Sequence, residues 1–314
     1  MALDHTDAPH AGDDAADHPE APAWFTRALE VPFSDEGVDV AGADVHYLAW
    51  GERGRRGLVF VHGGGAHAHW WSPIAATFAD EFRVLAVDLS GHGDSGHRDA
   101  YELEQWTDEV MAVASAGGID GPPVIVGHSM GGFVTIATAA LHAEEIAGAI
   151  VCDSPVAAPD PEVASYKLKE AFGAPRTYAT LEDAMRHFRT VPPQEHYLPY
   201  VIDHVARHSL KQVDGGWQWK FDRQVFAQFS GGSMRSVALP YLDQVTCRLA
   251  LLRSENGLVT DDIGQSMYER LGRVTPIIEI PEAGHHAMLD EPLILLTALR
   301  SLLADWDHSE PHHR

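Results

Sequence analysis

The stretch PPVIVGHSMGGFVTIATAALHA, residues 122–143, begins as a short apolar strand and ends as a helix rich in Ala and Thr. At the junction lies the pattern Gly127-His128-Ser129-Met130-Gly131. A serine in so tight a turn has a strained backbone, and side chains two positions before and after it would collide with neighbouring backbone, so glycine is needed there. The pattern predicts a nucleophile elbow, which raises a serine Oγ above the end of a sheet. The alternative is a glycine-rich packing turn with an incidental serine.

Strand-like and helix-like segments alternate along most of the chain. Helical patterns cover residues 71–79, 104–116 and 291–306. Besides the strand before the elbow, apolar or alternating runs indicate strands at 43–51, 57–64, 82–88, 146–153, 247–253 and 274–281. This alternation is typical of an α/β protein with a mostly parallel sheet between helices.

Residues 155–245 interrupt the alternation. They contain helical patterns at 162–172, 180–190 and 196–210, and a Gly-Gly pair within 213–222 that indicates a turn. We interpret this segment as a mainly helical cap inserted between core residues 23–154 and 246–306. Residues 1–22 are acidic with little apolar surface to bury, so we expect them to be disordered, and residues 307–314 to form a flexible tail.

The formal net charge of −24 argues against a nucleic-acid partner, because phosphate would be repelled. No run of about 18 apolar residues is present, so we expect no membrane span. The N-terminus resembles neither a secretory signal nor a transit peptide, which predicts a cytoplasmic protein. Cys152 and Cys247 lie in or beside apolar strand candidates and are expected to be free thiols. The oligomeric state is left open, a homodimer included.

A serine nucleophile needs amide donors for the oxyanion that develops during attack. The amide of Met130, at the start of the helix after the elbow, is one candidate. The loop HGGGAHAHWW, residues 62–71, follows a core strand and allows close backbone approach. It supplies Gly64 as the second candidate, with Gly65 as the alternative.

A general base is expected late in the chain, after the last strand. The loop PEAGHHAMLDEP, residues 281–292, contains two adjacent histidines. We favour His285, directly after Gly284, over His286. A capping or packing role is the alternative for either ring.

Together, the motifs HGGG, DLSGHGDSG (residues 88–96), GHSMGG and GHHAMLDEP make the chain resemble the α/β-hydrolase superfamily, over residues 40–154 and 247–305. The resemblance implies an eight-stranded, mostly parallel sheet with the cap inserted after strand 6. It also implies a lid-bearing serine hydrolase of the esterase type that needs no cofactor. A serine at position 129 argues against epoxide hydrolases and haloalkane dehalogenases, which use a carboxylate nucleophile.

The triad acid departs from the commonest family pattern. The family usually places it in a turn that corresponds to RSENGLVT, residues 253–260, where Gly257 occupies the acid's position. Asp153 is the natural substitute, because its strand lies beside the nucleophile strand and ends at the same crevice. Glu255 is the second candidate acid, followed by Asp261 or Asp262. A capping or turn carboxylate is the alternative for Asp153.

Other polar and aromatic residues are candidates for structural or binding roles. We interpret Asp88, His92 and Asp94 as part of a structural turn, and we expect no metal at His62, His67 and His69, which lack a partnering helix or carboxylate motif. The candidate substrate-binding residues are Gly65, His67, Trp71, Tyr197, Trp217 and Trp219. For the cap aromatics, the alternative is packing within the cap itself.

The sequence therefore predicts a serine hydrolase that cleaves an ester or lactone of a moderately apolar acid through an acyl-enzyme. The first alternative is a hydrolase that cleaves a carbon–carbon bond in a dienoic keto acid. A basic residue facing the pocket would favour that substrate. The second alternative, from another class, is a ligand-binding receptor on a hydrolase scaffold.

Overall fold

The computed structural model describes residues 21–156, 176–228 and 233–309. Eight of the ten described strands form one sheet. Numbered along the chain, they are β1 (Phe33–Val40), β2 (Ala43–Trp50), β3 (Gly57–Val61), β4 (Arg83–Val87), β5 (Val124–His128), β6 (Gly148–Cys152), β9 (Leu249–Asn256) and β10 (Ile277–Gly284). Their spatial order in the sheet is β1-β2-β4-β3-β5-β6-β9-β10. Strand β2 is antiparallel to both β1 and β4, and the remaining pairs are parallel. The predicted eight-stranded, mostly parallel sheet is confirmed.

The central strands differ from the edge strand β1 in burial. Every residue of β3, β4, β5 and β6 is buried, as continuous apolar runs predict. Strand β1 alternates between exposed and half-buried residues and carries few apolar side chains, so the sequence pattern did not reveal it. Helix α1 (Ala23–Glu30) was also missed.

Helices cover both faces of the sheet. On one face, α3 (Leu103–Ala116) and α4 (Met130–Leu141) pack in an apolar cluster that includes Val59 and Val61 of β3. On the other, α1, α2 (Ser72–Ala75) and α12 (Pro292–His308) pack with Leu58 and Phe60 of the same strand. The core is completed by α10 (Asp261–Arg270) and α11 (Ala287–Asp290). The helix predicted at 71–79 is interrupted, with 3₁₀ turns at 68–70 and 76–78.

The chain between β6 and β9 contains the segment that the sequence predicts to be a cap, and the name cap is kept for it. Its described elements are α5 (Leu181–Met185), α6 (Pro199–His208), β7 (Leu210–Val213), β8 (Gly216–Trp219), α7 (Arg223–Gln228), α8 (Ser233–Val237) and α9 (Leu239–Leu242). The predicted Gly-Gly turn joins β7 to β8, and both glycines have positive φ values, 86° and 144°. The predicted helix at 162–172 lies outside the described residues, as do the tail residues 1–20 and 310–314. The cap boundaries stay a prediction.

Two further features concern the cysteines and the helices. Cys152 at the end of β6 is aligned with Leu252 of β9, five residues after Cys247, and both thiols are free, as predicted. No helix within the described ranges is long and apolar enough to cross a membrane.

Candidate active site

Ser129 occupies the turn between β5 and α4. Its backbone has φ 53° and ψ −118°, which is strained for a residue other than glycine. A Cβ at Gly127 would lie 2.2 Å from the carbonyl oxygen of Gly131, and one at Gly131 would lie 2.4 Å from that of His62. The sequence requirement for glycine on both sides of the serine therefore has a steric origin in this turn.

His285 lies between Ser129 and Asp153. Its Nε2 is 3.0 Å from Ser129 Oγ, and its Nδ1 is 2.7 Å from Asp153 Oδ2. The three residues follow β5, β6 and β10, whose C-terminal ends meet at one edge of the sheet. His285 and Asp153 are each 2% exposed, so the hydrogen bond between them is shielded from water, while the bond to Ser129 is partly buried. The structure thus brings together the serine, histidine and aspartate that the sequence favoured.

Asp153 lies in a cradle of backbone amides. Its carboxylate accepts hydrogen bonds from the amides of Leu258 at 2.7 Å and of Ser254 and Val259 at 3.2 Å each. Burial alone would raise the pKa of Asp153, but the hydrogen bond and charge of His285, together with the amides, outweigh it and lower the pKa. Asp153 is therefore an anion at neutral pH and can hold the His285 ring in one orientation.

Gly257 makes room for this carboxylate. A Cβ at this position would lie 2.4 Å from Asp153 Oδ2 and 2.5 Å from Oδ1. In the commonest family pattern this turn supplies the acid. Here it supplies backbone amides to Asp153, and the missing side chain of Gly257 leaves space for the carboxylate. The glycine at position 257, where the family pattern has an acid, therefore makes room for the Asp153 carboxylate that bonds to His285.

The alternative carboxylates lie elsewhere. Glu255 is exposed and accepts a hydrogen bond from the Glu282 amide at 2.8 Å. The side chain of Asp261 pairs with Arg253, and that of Asp262 bonds to the Thr260 hydroxyl. Only the Asp153 carboxylate, among the candidates weighed, bonds to His285 Nδ1 in the described structure.

Comparison with known proteins gives the family. A sequence model of the alpha/beta hydrolase family matches residues 58–298. The chain belongs to the alpha/beta hydrolase family. An esterase of Mycobacterium tuberculosis is 26% identical over 275 residues, which cover 84% of this chain and 87% of that esterase. Lipase LipV of the same organism is 24% identical over 265 residues, or 83% of this chain and 98% of the lipase.

A solved structure shares the architecture of this hydrolase. The crystal structure of E-2-(acetamidomethylene)succinate hydrolase superposes with a TM-score of 0.75 and 21% sequence identity. The match covers 87% of this chain and 100% of the other. At this identity the likeness shows a common fold, while the substrate has to be argued from the site.

The loop that carries His285 in this hydrolase is held from two sides. The Gly284 amide donates to Asp290 Oδ2 at 2.6 Å, and the His286 amide donates to the Gln194 side chain at 2.8 Å. Gln194 also donates to Asp290 at 2.8 Å, which closes the network. Burial raises the pKa of Asp290 to about 6, against the lowering effect of its amide partners. Gln194 lies in the cap, about 90 positions before this loop, so no local sequence pattern indicates that it supports the loop.

The two histidines beside His285 have other partners. His286, the second candidate base, has its Nε2 3.1 Å from the carbonyl oxygen of Pro192 rather than at the serine. His128 has its Nε2 2.8 Å from the carbonyl oxygen of His285. Burial lowers the pKa of His128 to about 3, so its ring is neutral, and this nitrogen carries the proton and donates to that oxygen. Both rings therefore support the loop that positions His285.

The glycine-rich loop after β3 runs past the elbow. A Cβ at Gly63 would lie 3.3 Å from Ser129 Cβ, and one at Gly64 would lie 3.6 Å from Met130 Sδ. Met130 is the first residue of α4, where an amide has no partner within the helix. Gly65 has a positive φ of 73° and lies at the turn of the loop. The oxyanion role of Met130 and Gly64 stays a prediction that this proximity supports.

Two predicted substrate-binding residues of the same loop are buried. His67 is 2% exposed, with its Nε2 2.8 Å from the Ser209 hydroxyl. Trp71 is fully buried, and its ring centroid lies 4.9 Å from that of Phe60. His67 therefore joins the loop to the cap, and Trp71 joins it to β3. Both residues occupy core positions.

The predicted cap aromatics pack mainly within the cap. Trp219 contacts Tyr178 and Phe188, with ring centroids 6.0 Å apart in each pair, and Trp217 pairs with Tyr178 through the backbone. The Tyr197 hydroxyl bonds to Thr190 at 2.6 Å. These contacts correspond to the packing alternative that the sequence left open.

Phe226 was not anticipated near the elbow. A Cβ at Gly64 would lie 3.2 Å from Phe226 Cε1, so this cap side chain covers the glycine-rich loop. Phe226 comes almost 100 positions after Ser129 in the sequence, and its local pattern carries no sign of this contact.

Proposed function

We propose that this hydrolase cleaves an uncharged carboxylic ester or lactone by nucleophilic catalysis at Ser129. The observation that carries the proposal is the pair of hydrogen bonds that links Ser129 Oγ to His285 Nε2 and His285 Nδ1 to Asp153 Oδ2. A histidine held by a buried carboxylate is oriented to accept the serine proton, and the resulting imidazolium is stabilised by that carboxylate.

The reaction has two halves. In the first, Ser129 Oγ attacks the ester carbonyl while His285 takes its proton. The amides of Met130 and Gly64 stabilise the oxyanion, and collapse of the intermediate returns the proton to the departing alkoxide and leaves an acyl-serine. In the second, His285 takes a proton from water as the water attacks the acyl group, and then returns it to Ser129 Oγ as the acid is released.

The substrate class follows from the groups around Ser129. Met130 follows Ser129 directly, Phe226 of the cap packs beside Gly64, and both side chains are apolar. A substrate carboxylate would need a basic residue facing the pocket, and four arginines of the cap are instead exposed: Arg176, Arg186, Arg189 and Arg207. These features favour an uncharged, moderately apolar substrate over a dienoic keto acid. The similarity to an esterase and a lipase supports the same choice.

The test combines turnover with covalent labelling. The wild-type protein should hydrolyse p-nitrophenyl butyrate with repeated turnover and take up one fluorophosphonate group per chain, located on Ser129 by mass spectrometry. Ser129→Ala should lose both properties while keeping its thermal unfolding midpoint. Ser301→Ala, a substitution on the exposed side of α12, is the matched control and should keep both.

Three results would contradict the proposal. Labelling or turnover that survives in Ser129→Ala would exclude this residue as nucleophile. Fast cleavage of a dienoic keto acid with little ester turnover would favour the carbon–carbon hydrolase. A single turnover without further product would favour a receptor.

A further inference from the structure

Three histidines from two separate parts of the chain come together beside the glycine-rich loop. His69 lies in the 3₁₀ turn near the end of that loop, while His204 and His208 are one helical turn apart on α6 of the cap. The ring centroids of His69 and His208 are 3.9 Å apart, and those of His204 and His208 are 4.5 Å apart. One ring nitrogen of each histidine lies within 4.8 Å of a ring nitrogen of the other two.

The hydrogen bonds of these rings leave nitrogen lone pairs available. His208 Nδ1 is 2.8 Å from the carbonyl oxygen of His204, to which it donates, so Nε2 of the neutral ring carries the lone pair. His69 Nδ1 is 3.2 Å from the Ser72 hydroxyl. His204 Nε2 is buried and has no hydrogen-bond partner among the described residues. Metal-binding histidines commonly engage one ring nitrogen with a carbonyl or other polar group in this way while the second binds the ion.

Nearby cationic side chains are already neutralised. Lys220 pairs with Asp94 at 2.5 Å, and Arg207 pairs with Asp203 at 3.3 Å. The chain as a whole has a formal charge of −24, which attracts cations. The local and the overall charge therefore allow a dication to approach.

We infer that His69, His204 and His208 form a binding site for one transition-metal dication of the Zn²⁺, Co²⁺ and Ni²⁺ class. Imidazole nitrogen suits these ions, and water would complete a four-coordinate geometry. Nitrogens that share such an ion are about 3.3 Å apart, so the stacked rings of His69 and His208 have to rotate on binding. The ion would tie α6 of the cap to the loop that carries Gly64.

This site differs from the expectation that no metal binds near His62, His67 and His69. Two of those rings have other partners: His62 Nε2 accepts from the Leu89 amide at 3.1 Å, and His67 Nε2 contacts Ser209. The remaining one, His69, meets a helix that lies more than 130 positions later in the sequence, which a local motif search does not reveal.

The experiment is a titration of the full-length, metal-free protein with Co²⁺, followed by visible absorption. We expect one Co²⁺ per chain with the intense bands of a four-coordinate site, displaced by Zn²⁺. His69→Asn, His204→Asn and His208→Asn should each weaken binding at least about tenfold. Asparagine keeps a donor near the position of Nδ1 and removes Nε2, so the fold is disturbed as little as the change allows.

Two control variants test whether binding arises at this cluster. His142→Asn removes a half-buried ring that pairs with Glu145 and should leave Co²⁺ binding unchanged. His286→Asn probes a different group of three histidines, which is buried and is formed with His128 and His285 in the active site. The inference is overturned if Co²⁺ binding is lost in His286→Asn and retained in His204→Asn, or if wild type and all three cluster variants bind equally.

X-ray absorption of the wild-type Zn²⁺ complex gives a readout that does not depend on variant folding. Three imidazole ligands per zinc are expected, and a spectrum with oxygen ligands alone would overturn the inference.

Discussion

Within the part of the hydrolase that the structure describes, two aspartate–histidine pairs with a buried carboxylate look alike and differ in their surroundings. Asp88 follows β4 and Asp153 follows β6, and each is 2% exposed. In both pairs, histidine Nδ1 lies 2.7 Å from the aspartate Oδ2, with His46 beside Asp88 and His285 beside Asp153. Both carboxylates also accept backbone amides; for Asp88 these are the amides of Ala68 at 2.6 Å and of Asp94 at 2.9 Å.

The difference lies at the other ring nitrogen. His285 Nε2 faces the neutral hydroxyl of Ser129, whereas His46 Nε2 is 3.0 Å from a second carboxylate, Asp35 Oδ1. Burial alone would lower the pKa of His46, but the hydrogen bonds and charges of Asp88 and Asp35 raise it to about 9. His46 is therefore a cation at neutral pH and has no lone pair with which to take a proton. A carboxylate at Nε2 makes His46 part of a structural ion pair, whereas a hydroxyl at Nε2 leaves His285 a candidate general base.

The largest expected effect is on catalysis at Asp153. Asp153→Asn removes the charge that stabilises the His285 imidazolium and allows the wrong tautomer, so we expect kcat for p-nitrophenyl butyrate to fall about 10⁴-fold. Steady-state kinetics measure the loss, and thermal unfolding checks that the variant is folded. If Glu255→Gln cripples the enzyme while Asp153→Asn does not, the triad acid is Glu255.

The corresponding substitution in the His46–Asp88 pair, Asp88→Asn, should lower the stability of the protein rather than its catalytic rate. Asp88→Asn leaves His46 without its buried counterion, and breaking such a pair costs about 3–5 kcal/mol of unfolding free energy. Urea unfolding at pH 7 measures this loss, and kcat of the folded variant should fall far less than in Asp153→Asn. A variant that is fully stable yet as slow as Asp153→Asn would show that the two pairs are functionally equivalent.

The pH dependence of stability should show His46 directly. A histidine whose pKa is raised on folding contributes stability that is fully present below about pH 6.5 and is lost as the pH rises through about 9. The shift corresponds to roughly 3 kcal/mol at most. Asp153, whose pKa is lowered, contributes with the opposite sign: its stabilisation is present at neutral pH and is lost in acid.

Urea unfolding of wild type and His46→Gln at pH 6.5 and pH 9 tests this assignment. The wild-type unfolding free energy should fall between the two pH values by more than that of the variant. Equal slopes in both proteins would exclude His46 as the origin of the alkaline loss.

The parts of the molecule that the sequence predicted correctly are those whose cause is local. The buried strands β3 to β6 are continuous apolar runs, and the elbow needs glycine within two residues of Ser129. Strand β1 forms because β2 offers an edge for pairing, although its own residues alternate without a clear apolar face. That pairing is a tertiary effect, so the pattern of residues 33–40 did not predict it.

The site divides in the same way. Asp153 could be proposed because it ends a strand beside the nucleophile strand, whereas its amide cradle comes from residues 254–259, about 100 positions later. The contacts of Phe226 and Gln194 depend on how the cap packs on the core. The spacing of cap residues along the sequence does not determine where they lie relative to the sheet, so their contacts with the active site could not be predicted from it.

The smallest expected effect tests the cradle itself. In Gly257→Ala, the new Cβ would lie 2.4 Å from Asp153 Oδ2, so the carboxylate or the turn must shift and the His285 ring loses its alignment. A shift of about 1 Å in a catalytic group costs on the order of 10²-fold in rate, so we expect kcat to fall roughly 10- to 100-fold. Gly264→Ala in α10 is the matched control: its Cβ would meet only Val259 at 3.7 Å, and alanine favours the helix. If both alanine variants hydrolyse p-nitrophenyl butyrate at the wild-type rate, the space at Gly257 is not what fixes Asp153, and the amides alone must hold it.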